Sequence, residues 1–274
     1  MAAQSHVKIS FEIPEYTADI DGIGVMRLLE IIRSLPEPIK NKIKFYQAGT
    51  SELYGKVLET PQNEKTPFNP VSPYAAAKLY AYNMVKIYRE GYNLFAVNGI
   101  LFNHESPRRG ENFVTMKIVN GVKDIVSGKK QFISLGNIYS KRDWGHAKDY
   151  VYGMWLMLQQ DKPDDFVLAT GQTFTVKNFV MHAFKIKGYN LYWKGTGKDE
   201  IGYDQNHIPR VKIDIKYYRP CEVDLLLGDA SKASQKLGWK PQIKLEEMIK
   251  EMIEEDKKEA LRDYLLLQNK ESIQ

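Results

Sequence analysis

Tyr74 and Lys78 form a Tyr-x-x-x-Lys pair within the stretch "SPYAAAKLYAY", residues 72–82. A spacing of four residues puts both side chains on one face of a helix. A lysine ammonium close to a phenol favours the phenolate and lowers the phenol pKa from its reference value of about 10. The pair can therefore act as a general base near neutral pH, and the lysine keeps donors for the ribose hydroxyls of a cofactor.

Two hydroxyls and a carboxylate precede this pair in the segment "AGTSELYG". Thr50, Ser51 and Glu52 come at the end of the predicted strand 42–50, and the carboxyl ends of parallel strands line the ligand crevice of a sheet. We therefore expect these side chains to project toward Tyr74, where they would add a second acid–base group. The alternative is a polar cap between a strand and a loop, which the neighbouring tyrosine and lysine make less favoured.

Tyr82 and Lys86 match the same spacing in the same stretch, so the pattern alone is not specific. Eight residues turn a helix by about 80° from a whole number of turns, and both pairs therefore cannot face one site. An isolated match of this kind is more often a surface tyrosine beside a solvated lysine. Tyr74 is favoured because it lies directly after Ser-Pro, in the first turn, where the chain leaves a loop.

Alternating strand and helix patterns predict a parallel α/β sheet for the first two thirds of the chain. Strands are predicted over 42–50, 93–103 and 165–171, and helices over 72–92, 112–128 and 175–188. Gly91 and Gly128 are expected to end the first two helices. A further amphipathic helix is predicted from Leu245, Met248, Ile249, Met252 and Ile253 in the segment 244–268. Segments 103–112 and 216–224 are predicted loops that carry residue types common in ligand sites.

Composition excludes several classes of protein. Hydrophobic residues make up 43% and charged residues 27%, as in ordinary globular enzymes, and no apolar run is long enough to cross a bilayer. Cys221 is the single cysteine, so we expect no disulfides and a cytoplasmic location. The net charge of +5 is too mild for a nucleic-acid partner, and the five histidines show no pair at metal-ligand spacing.

Longer segments around the catalytic candidates resemble one known family. The segments are "FYQAGTSELYGKV", "TPFNPVSPYAAAKLYAY", "NHESPRRG", "RDWGHAKDYV" and "YYRPCEVD". Together they closely resemble GDP-mannose 4,6-dehydratases, which are extended short-chain dehydrogenases/reductases. The resemblance runs from Ala3 to about Asp256, and this combination of motifs is highly specific among nucleotide-sugar enzymes.

The resemblance implies a Rossmann-type α/β fold with a smaller C-terminal α/β domain. Residues 1–105 and 143–171 would belong to an NADP-binding Rossmann domain, and residues 106–142 and 172–274 to a GDP-sugar-binding domain. The family's opening strand and glycine-rich turn, which bind pyrophosphate, have no counterpart near "DGIGVM". We therefore expect a partial parallel sheet without its N-terminal strands and with exposed apolar surface. An incomplete polypeptide is favoured over a short variant rescued by oligomerisation.

The chemistry implied by the resemblance is the conversion of GDP-mannose to GDP-4-keto-6-deoxymannose, a precursor of GDP-fucose, with tightly bound NADP. Tyr74 would accept the proton of the sugar 4-hydroxyl while NADP⁺ takes the C4 hydride. Glu52 would remove the C5 proton and assist loss of the 6-hydroxyl as water, before NADPH returns the hydride to C6. Thr50 would hydrogen-bond the 4-oxygen, and Lys78 would complete the catalytic set.

The same resemblance assigns binding roles residue by residue. NADP contacts fall on Ser5, Tyr16, Tyr74, Lys78, His104 and Arg109. GDP-sugar contacts fall on Ser51, Asn103, Asn112, Val114, Lys117, Arg142, Arg219 and Glu222. Arg142 and Arg219 suit the diphosphate because a guanidinium binds phosphate oxygens in pairs, while Glu222 suits ribose hydroxyls. The loop with Arg108 and Arg109 would reach a neighbouring subunit, so a homodimer or homotetramer is expected, unless it is a solvated basic loop.

Two alternatives to a dehydratase remain at this point. Another nucleotide-sugar epimerase or reductase of the same family would share the tyrosine and lysine, but Glu52 opposes it because simple epimerases need no base at C5. A truncated, non-catalytic GDP-sugar-binding chain is consistent with the absent glycine-rich turn.

Overall fold

A computed structural model describes residues 3–219 and 221–255. Its α-helices, numbered in chain order, are α1 (Val7–Glu12), α2 (Pro14–Ala18), α3 (Gly24–Ser34), α4 (Glu37–Lys40), α5 (Pro73–Tyr92), α6 (Val114–Val126), α7 (Ala147–Gln159), α8 (Val176–Ile186), α9 (Ser231–Leu237) and α10 (Leu245–Glu254). Its strands are β1 (Lys44–Ala48), β2 (Phe95–Leu101), β3 (Asn103–Glu105), β4 (Ile133–Leu135), β5 (Lys141–Arg142), β6 (Trp144–His146), β7 (Phe166–Leu168), β8 (Phe174–Thr175), β9 (Tyr192–Lys194), β10 (Ile201–Tyr203) and β11 (Pro209–Ile213). A π-helix spans Asp19–Ile23, and 3-10 helices span Ser51–Leu53, Gly197–Asp199 and Ile215–Tyr217.

The strands and helices predicted from the sequence are confirmed, with small differences at their ends. Helix α5 runs one residue past Gly91, because Asn93 in the left-handed conformation (φ 53°) ends it instead. The loop predicted over 103–112 begins with strand β3, which is too short to produce a periodic pattern. Helix α10 confirms the amphipathic helix up to Glu254, and residues 256–268 of that prediction lie outside the described residues.

Packing divides the chain into two units. The first consists of Met1–His104, Ser140–Phe174 and Arg219–Gln242, and the second of Glu105–Tyr139, Thr175–Tyr218 and Ile243–Gln274. The division differs from the sequence-based one mainly at 219–242, which the sequence assigned to the second domain. Val223 and Leu226 from this segment are buried against Ile100 and Phe102, so their apolar contacts tie the segment to the first unit.

A parallel three-stranded sheet with the order β1-β2-β7 forms the centre of the first unit. Residues alternate between the two faces of the central strand β2. Ala96 packs with α3 and α5 on one face, while Val97 and Leu101 pack with α7 and α9 on the other. Because both faces are covered, nearly every residue of β2 is buried, and the strand does not alternate between apolar and polar residues; its one polar side chain, Asn98, is buried too. The parallel α/β prediction is confirmed.

Large apolar side chains are exposed on two helices of the first unit. Leu28 and Ile31 of α3 face solvent, as do Tyr152 and Trp155 of α7, whose rings stack at 5.9 Å.

The second unit has its own sheet, with the order β4-β11-β10-β9. Strands β4 and β11 are parallel, while β10 pairs antiparallel with both β11 and β9. Helices α6, α8 and α10 contact one another, and α6 also contacts β4. The buried residues Met248, Ile249 and Met252 give α10 an apolar face, which explains why it packs in this unit.

Candidate active site

The carboxyl end of β1 carries the first group of catalytic candidates. Thr50 Oγ1 accepts a hydrogen bond from the Glu52 backbone N–H at 3.2 Å and thereby caps the 3-10 helix Ser51–Leu53. The Thr50 hydroxyl keeps its own O–H as a donor toward a ligand. Thr50, Ser51 and Glu52 are all buried. The segment therefore turns polar groups into the protein interior, in addition to capping a short helix.

Residues that follow Glu52 anchor this segment. Leu53 and Tyr54 are fully buried in a cluster with Phe102, and the Tyr54 hydroxyl donates to the Asn63 carbonyl at 2.7 Å. Gly55 has a positive φ of 52°, and a Cβ there would lie 1.9 Å from the Asn69 carbonyl oxygen, so only glycine fits. These contacts fix the backbone on the C-terminal side of Glu52.

Tyr74 and Lys78 lie in the first two turns of α5. Ser72 caps this helix by accepting from the Ala75 N–H at 3.1 Å. Both side chains are buried, and Lys78 Nζ lies 5.8 Å from the centre of the Tyr74 ring. Lys78 also donates to the carbonyl of Ala48, the last residue of β1, at 3.3 Å. Lys78 thus connects the start of α5 to the strand end that carries Thr50.

Surroundings separate this pair from the second Tyr-x-x-x-Lys match. Lys86 Nζ lies 5.9 Å from the centre of the Tyr82 ring, nearly the same spacing as in the first pair. Tyr82, however, packs edge-on against Phe68 in the apolar core, with ring centres 4.9 Å apart. Burial raises the pKa of Tyr82, and the nearby carboxylate of Asp165 raises it further. Tyr82 therefore stays protonated near neutral pH, where it cannot act as a base.

Asp21 is a buried charged residue that interacts electrostatically with Lys78 and that the sequence interpretation missed. Its buried side chain accepts from the Gln4 backbone N–H at 3.0 Å through Oδ1, while Oδ2 has no hydrogen-bond partner among the described residues. Burial raises the pKa of Asp21, and the charge of Lys78 opposes this shift. Burial likewise lowers the pKa of Lys78, and the charge of Asp21 opposes that shift. Asp21 thus acts as the buried counter-charge of Lys78.

One pattern in the sequence could have indicated Asp21. Thr17, Asp21, Val25 and Leu29 recur every four residues and are all buried, so an acid occupies an otherwise inward-facing row. The π-helix that contains Asp21 contacts α5. Gly22 permits this approach, because a Cβ there would already lie 3.3 Å from the Ala77 carbonyl oxygen.

Four charged side chains of the first unit form a cluster that includes Glu52. Arg219 Nη1 lies 3.6 Å from Glu52 Oε1, and Arg219 Nε lies 3.7 Å from Glu222 Oε1. Arg142 Nη2 lies 3.9 Å from the same Glu222 oxygen. The structure therefore brings the two arginines predicted to bind diphosphate next to the predicted base. We refer to Glu52, Arg142, Arg219 and Glu222 as the charge cluster.

Arg142 is the more firmly fixed arginine of the charge cluster. Its Nη1 donates to the carbonyls of Lys141 at 3.0 Å and Val223 at 2.6 Å, and its side chain is 7% exposed, against 29% for Arg219. Burial lowers the pKa of Arg142, and the charge of Glu52 opposes this shift. Burial raises the pKa of Glu222, and the positive charges of Arg219 and Arg142 oppose this shift.

Two further candidates of the first unit lie just after β2. His104 Nδ1 lies 2.8 Å from the Phe102 carbonyl, and its ring stacks on Tyr150 with centres 4.8 Å apart. The side-chain oxygen of Asn103 is buried and has no hydrogen-bond partner in the described part of the chain. A buried acceptor of this kind suits a polar ligand.

Ser5 and Tyr16 are both exposed, on the segment that leads into the π-helix.

The remaining binding candidates belong to the second unit. Arg109 Nε lies 3.0 Å from Glu105 Oε2, and its guanidinium covers the Phe113 ring at 3.6 Å. Lys117 lies over the Tyr217 ring at 3.1 Å, and burial lowers the pKa of Lys117. Asn112 precedes α6, and Val114 is its first residue. Both partners of each contact lie within the second unit. The binding roles of Arg109, Asn112, Val114 and Lys117 stay predictions.

The described residues contain neither a metal-binding cluster nor a membrane-spanning helix. Within 3–219 and 221–255, no group of three His, Cys, Asp or Glu side chains could hold a metal ion. In the same ranges, no helix combines the length and apolar character needed to cross a membrane. Cys221 is exposed.

Comparison with known proteins identifies a matching family. The family model described as GDP-mannose 4,6 dehydratase matches residues 1–252. A GDP-mannose 4,6 dehydratase of Cricetulus griseus is 58% identical over 257 residues, which cover 93% of this chain and 68% of that protein. A GDP-mannose 4,6-dehydratase of Vibrio cholerae is 54% identical over 277 residues, which cover 97% of this chain and 74% of that protein.

Solved structures agree on the fold. A Pseudomonas aeruginosa structure described as RMD complexed with NADPH has a TM-score of 0.75 and 18% sequence identity, and the match covers 92% of this chain and 78% of that one. At that level of identity the likeness establishes the fold alone, which is a Rossmann-type α/β fold.

Proposed function

The chain belongs to the GDP-mannose 4,6-dehydratase family, and from this premise we propose that it converts GDP-mannose to GDP-4-keto-6-deoxymannose as a hydro-lyase. The observation that carries the proposal is the end of β1. Lys78 donates to Ala48 there, and the buried Thr50 and Glu52 follow within four residues. A phenol–ammonium pair and a carboxylate thus share one strand end, and dehydration across C5 and C6 of a 4-keto sugar needs both.

Tyr74 is the proposed base for the sugar 4-hydroxyl. Its phenol shares a helix face with the Lys78 ammonium, which favours the phenolate. The Thr50 oxygen already accepts a hydrogen bond from the Glu52 N–H, so its O–H group points elsewhere and is proposed to donate to the same 4-oxygen. Together these groups remove the hydroxyl proton and stabilise the oxygen as it becomes a carbonyl.

Glu52 is the proposed acid–base group for the second half of the reaction. The 4-ketone acidifies the neighbouring C5–H, and the Glu52 carboxylate takes that proton. The resulting carboxylic acid then donates to the departing 6-hydroxyl, which leaves as water, and C5 regains a proton from solvent when the hydride returns to C6. One carboxylate can serve both events because the proton that it accepts is the proton that it delivers.

NADP is the proposed cofactor, and residues of the first unit fit its nicotinamide end. A lysine ammonium has three donors, so after its bond to Ala48 Lys78 retains donors for two ribose hydroxyls. His104, Ser5 and Tyr16 are the further proposed contacts in this unit, and Arg109 in the second unit. When bound, the nicotinamide supplies the hydride acceptor at the start and the hydride donor at the end.

GDP-mannose is the proposed substrate, held by its diphosphate and its polar groups. Support comes from the charge cluster, where Arg142 and Arg219 offer planar guanidinium donors that suit phosphate oxygens. The Asn103 side-chain oxygen, which has no hydrogen-bond partner among the described residues, and the buried Ser51 hydroxyl are further polar groups of this unit. The proposed contacts of the other unit are Asn112, Val114 and Lys117, and Glu222 is proposed to accept from ribose.

The comparisons do not favour the two alternatives. Relatives more than half identical are dehydratases, and neither an epimerase nor a non-catalytic sugar-binding chain requires a buried carboxylate at Glu52. A titration separates the second alternative, since a binding chain would gain thermal stability with GDP-mannose and not with NADP⁺.

Replacement of Glu52 tests the proposed reaction. We expect Glu52→Gln to lower kcat by roughly 10²–10⁴-fold, the range that general acid–base groups contribute. Exchange of the sugar C5 hydrogen with deuterium from solvent should be lost as well. Glu90→Gln, an exposed change on α5, removes the same charge and should leave both unchanged. Turnover at the parent rate by Glu52→Gln would refute the proposed role.

The setting of the reaction is also proposed. We infer a cytoplasmic homodimer or homotetramer whose product feeds GDP-fucose synthesis, with the first unit binding NADP and the second contributing to the GDP-sugar site. Light scattering after size-exclusion chromatography measures the mass directly, and a monomer at micromolar concentration would contradict the assembly.

A further inference from the structure

The three ion pairs of the charge cluster are all too long to be hydrogen bonds. Their nitrogen–oxygen separations are 3.6, 3.7 and 3.9 Å, whereas charge-assisted N–H···O bonds measure about 2.7–2.9 Å. The two arginines and two acids therefore balance each other's charge without hydrogen bonds between their side chains. An anion with several oxygens can replace these pairs with shorter bonds.

Arg219 is the arginine of the charge cluster that keeps a hydrogen-bond donor available for a ligand. Its Nη1 is buried and has no hydrogen-bond partner among the described residues, although Glu52 Oε1 lies 3.6 Å away. A buried N–H without an acceptor is unfavourable, and a phosphate oxygen would relieve it. Arg142, in contrast, is tied by Nη1 to two backbone carbonyls. Arg219 is thus the arginine that can change partner.

We propose that Arg219 links diphosphate binding to the availability of Glu52. Without nucleotide, the charge of Arg219 pairs with the Glu52 carboxylate at 3.6 Å. When the diphosphate of the nucleotide sugar binds, it takes Arg219 and leaves Glu52 Oε1 free to accept the C5 proton. The substrate's own diphosphate therefore activates the base, so the base is available when a sugar is present. This inference rests on the proposed function.

Competition of this kind has a measurable consequence for a ligand that lacks the sugar. GDP carries the diphosphate but no hexose, so in the proposed complex it would not contact Glu52. If Glu52 competes for Arg219, removing the Glu52 charge must strengthen GDP binding. The gain must also depend on Arg219, because Arg219 is the shared partner.

A double-mutant cycle on GDP affinity tests the proposal with the full chain. Calorimetry measures GDP binding to the parent, Glu52→Gln, Arg219→Gln and the double variant. We expect Glu52→Gln to bind GDP about fivefold more tightly, which is the lower end of the usual range for coupling between sites. Arg219→Gln should bind GDP more weakly, and adding Glu52→Gln to it should change nothing further. Inorganic pyrophosphate should repeat the pattern, because the diphosphate is the competing group.

Several outcomes would overturn the coupling. If Glu52→Gln raised GDP affinity equally with and without Arg219, the carboxylate would act on GDP only through long-range repulsion and not through Arg219. No gain in either background would exclude competition, and so would a parent chain that does not bind GDP. Glu90→Gln corrects for net charge and should leave GDP affinity unchanged. Binding needs no turnover, so loss of the proposed dehydration alone would not produce any of these results.

Discussion

Lys78 and Arg219 are both cations of the first unit with proposed roles in one reaction, but the protein holds them differently. Lys78 is carried by a long helix, is buried, bonds the last carbonyl of β1 and faces the buried Asp21. Arg219 follows the 3-10 helix Ile215–Tyr217, is 29% exposed at its side chain, and is held by two ion pairs of 3.6 and 3.7 Å.

The difference indicates how each group is used. Lys78 must keep one position relative to the Tyr74 phenol in every step, and a helix face with a backbone contact provides this. In the proposed site, Arg219 must meet a diphosphate that arrives and leaves, and long ion pairs can be exchanged at low cost. On this proposal, rigid elements position the groups that move protons, while loosely paired charges recognise the ligand.

Removal of the Tyr74 hydroxyl from the rigidly held pair should have the largest effect on catalysis. Tyr74→Phe removes the hydroxyl that takes the sugar proton and keeps the ring, so kcat should fall by roughly 10²–10⁴-fold. The KM for GDP-mannose should stay within about threefold, because the charge cluster is unchanged. Steady-state kinetics with product analysis measures both.

Tyr82→Phe is the matched control on the same helix. It removes a phenol from the other Tyr-x-x-x-Lys pair, and kcat should remain within about threefold of the parent. A loss in Tyr82→Phe as large as that in Tyr74→Phe, with normal thermal stability, would show that the wrong pair was chosen.

Replacement of each arginine in turn should give the next largest effect, which is a loss of the free energy of unfolding that differs between Arg142 and Arg219. Arg142→Ala removes the buried counter-charge of Glu222 and the donor of the Val223 carbonyl, so the free energy of unfolding should fall by roughly 3 kcal/mol. Arg219→Ala should lower it by less than about 1 kcal/mol, because its pairs are long and partly exposed. Urea denaturation of both variants measures the difference, and equal losses would mean that the two arginines are held alike.

Removal of the buried counter-charge of Lys78 should give the smallest effect. Burial lowers the pKa of Lys78, and the charge of Asp21 opposes this, so Asp21→Asn lets the pKa fall further. Lys78 then loses its proton at lower pH, and the alkaline limb of the kcat profile should move to lower pH. Asp19→Asn, an exposed change in the same π-helix, should leave the limb in place. A shift to higher pH would contradict the assignment of Asp21.

Much of the site could be predicted because its parts are local in the sequence. The Ser-Pro start of α5, the spacing of Tyr74 and Lys78, and the polar residues after β1 each depend on a few neighbouring residues. The alternation of strands and helices likewise follows from short-range periodicity. Segment 219–242 could not be assigned in this way, because its apolar residues suit any core and only contact with Ile100 and Phe102 selects the first unit.

The sequence by itself determined the family, the order of strands and helices, and the residue types available for proton transfer. Tertiary structure decided which of these residues meet. It gave Lys78 a carboxylate from a residue 57 positions earlier, it placed the second tyrosine in an apolar core, and it joined Glu52 to Arg219. The physical reason is that helical and strand periodicity act over a few residues, whereas burial and charge pairing depend on chain segments that only folding brings together.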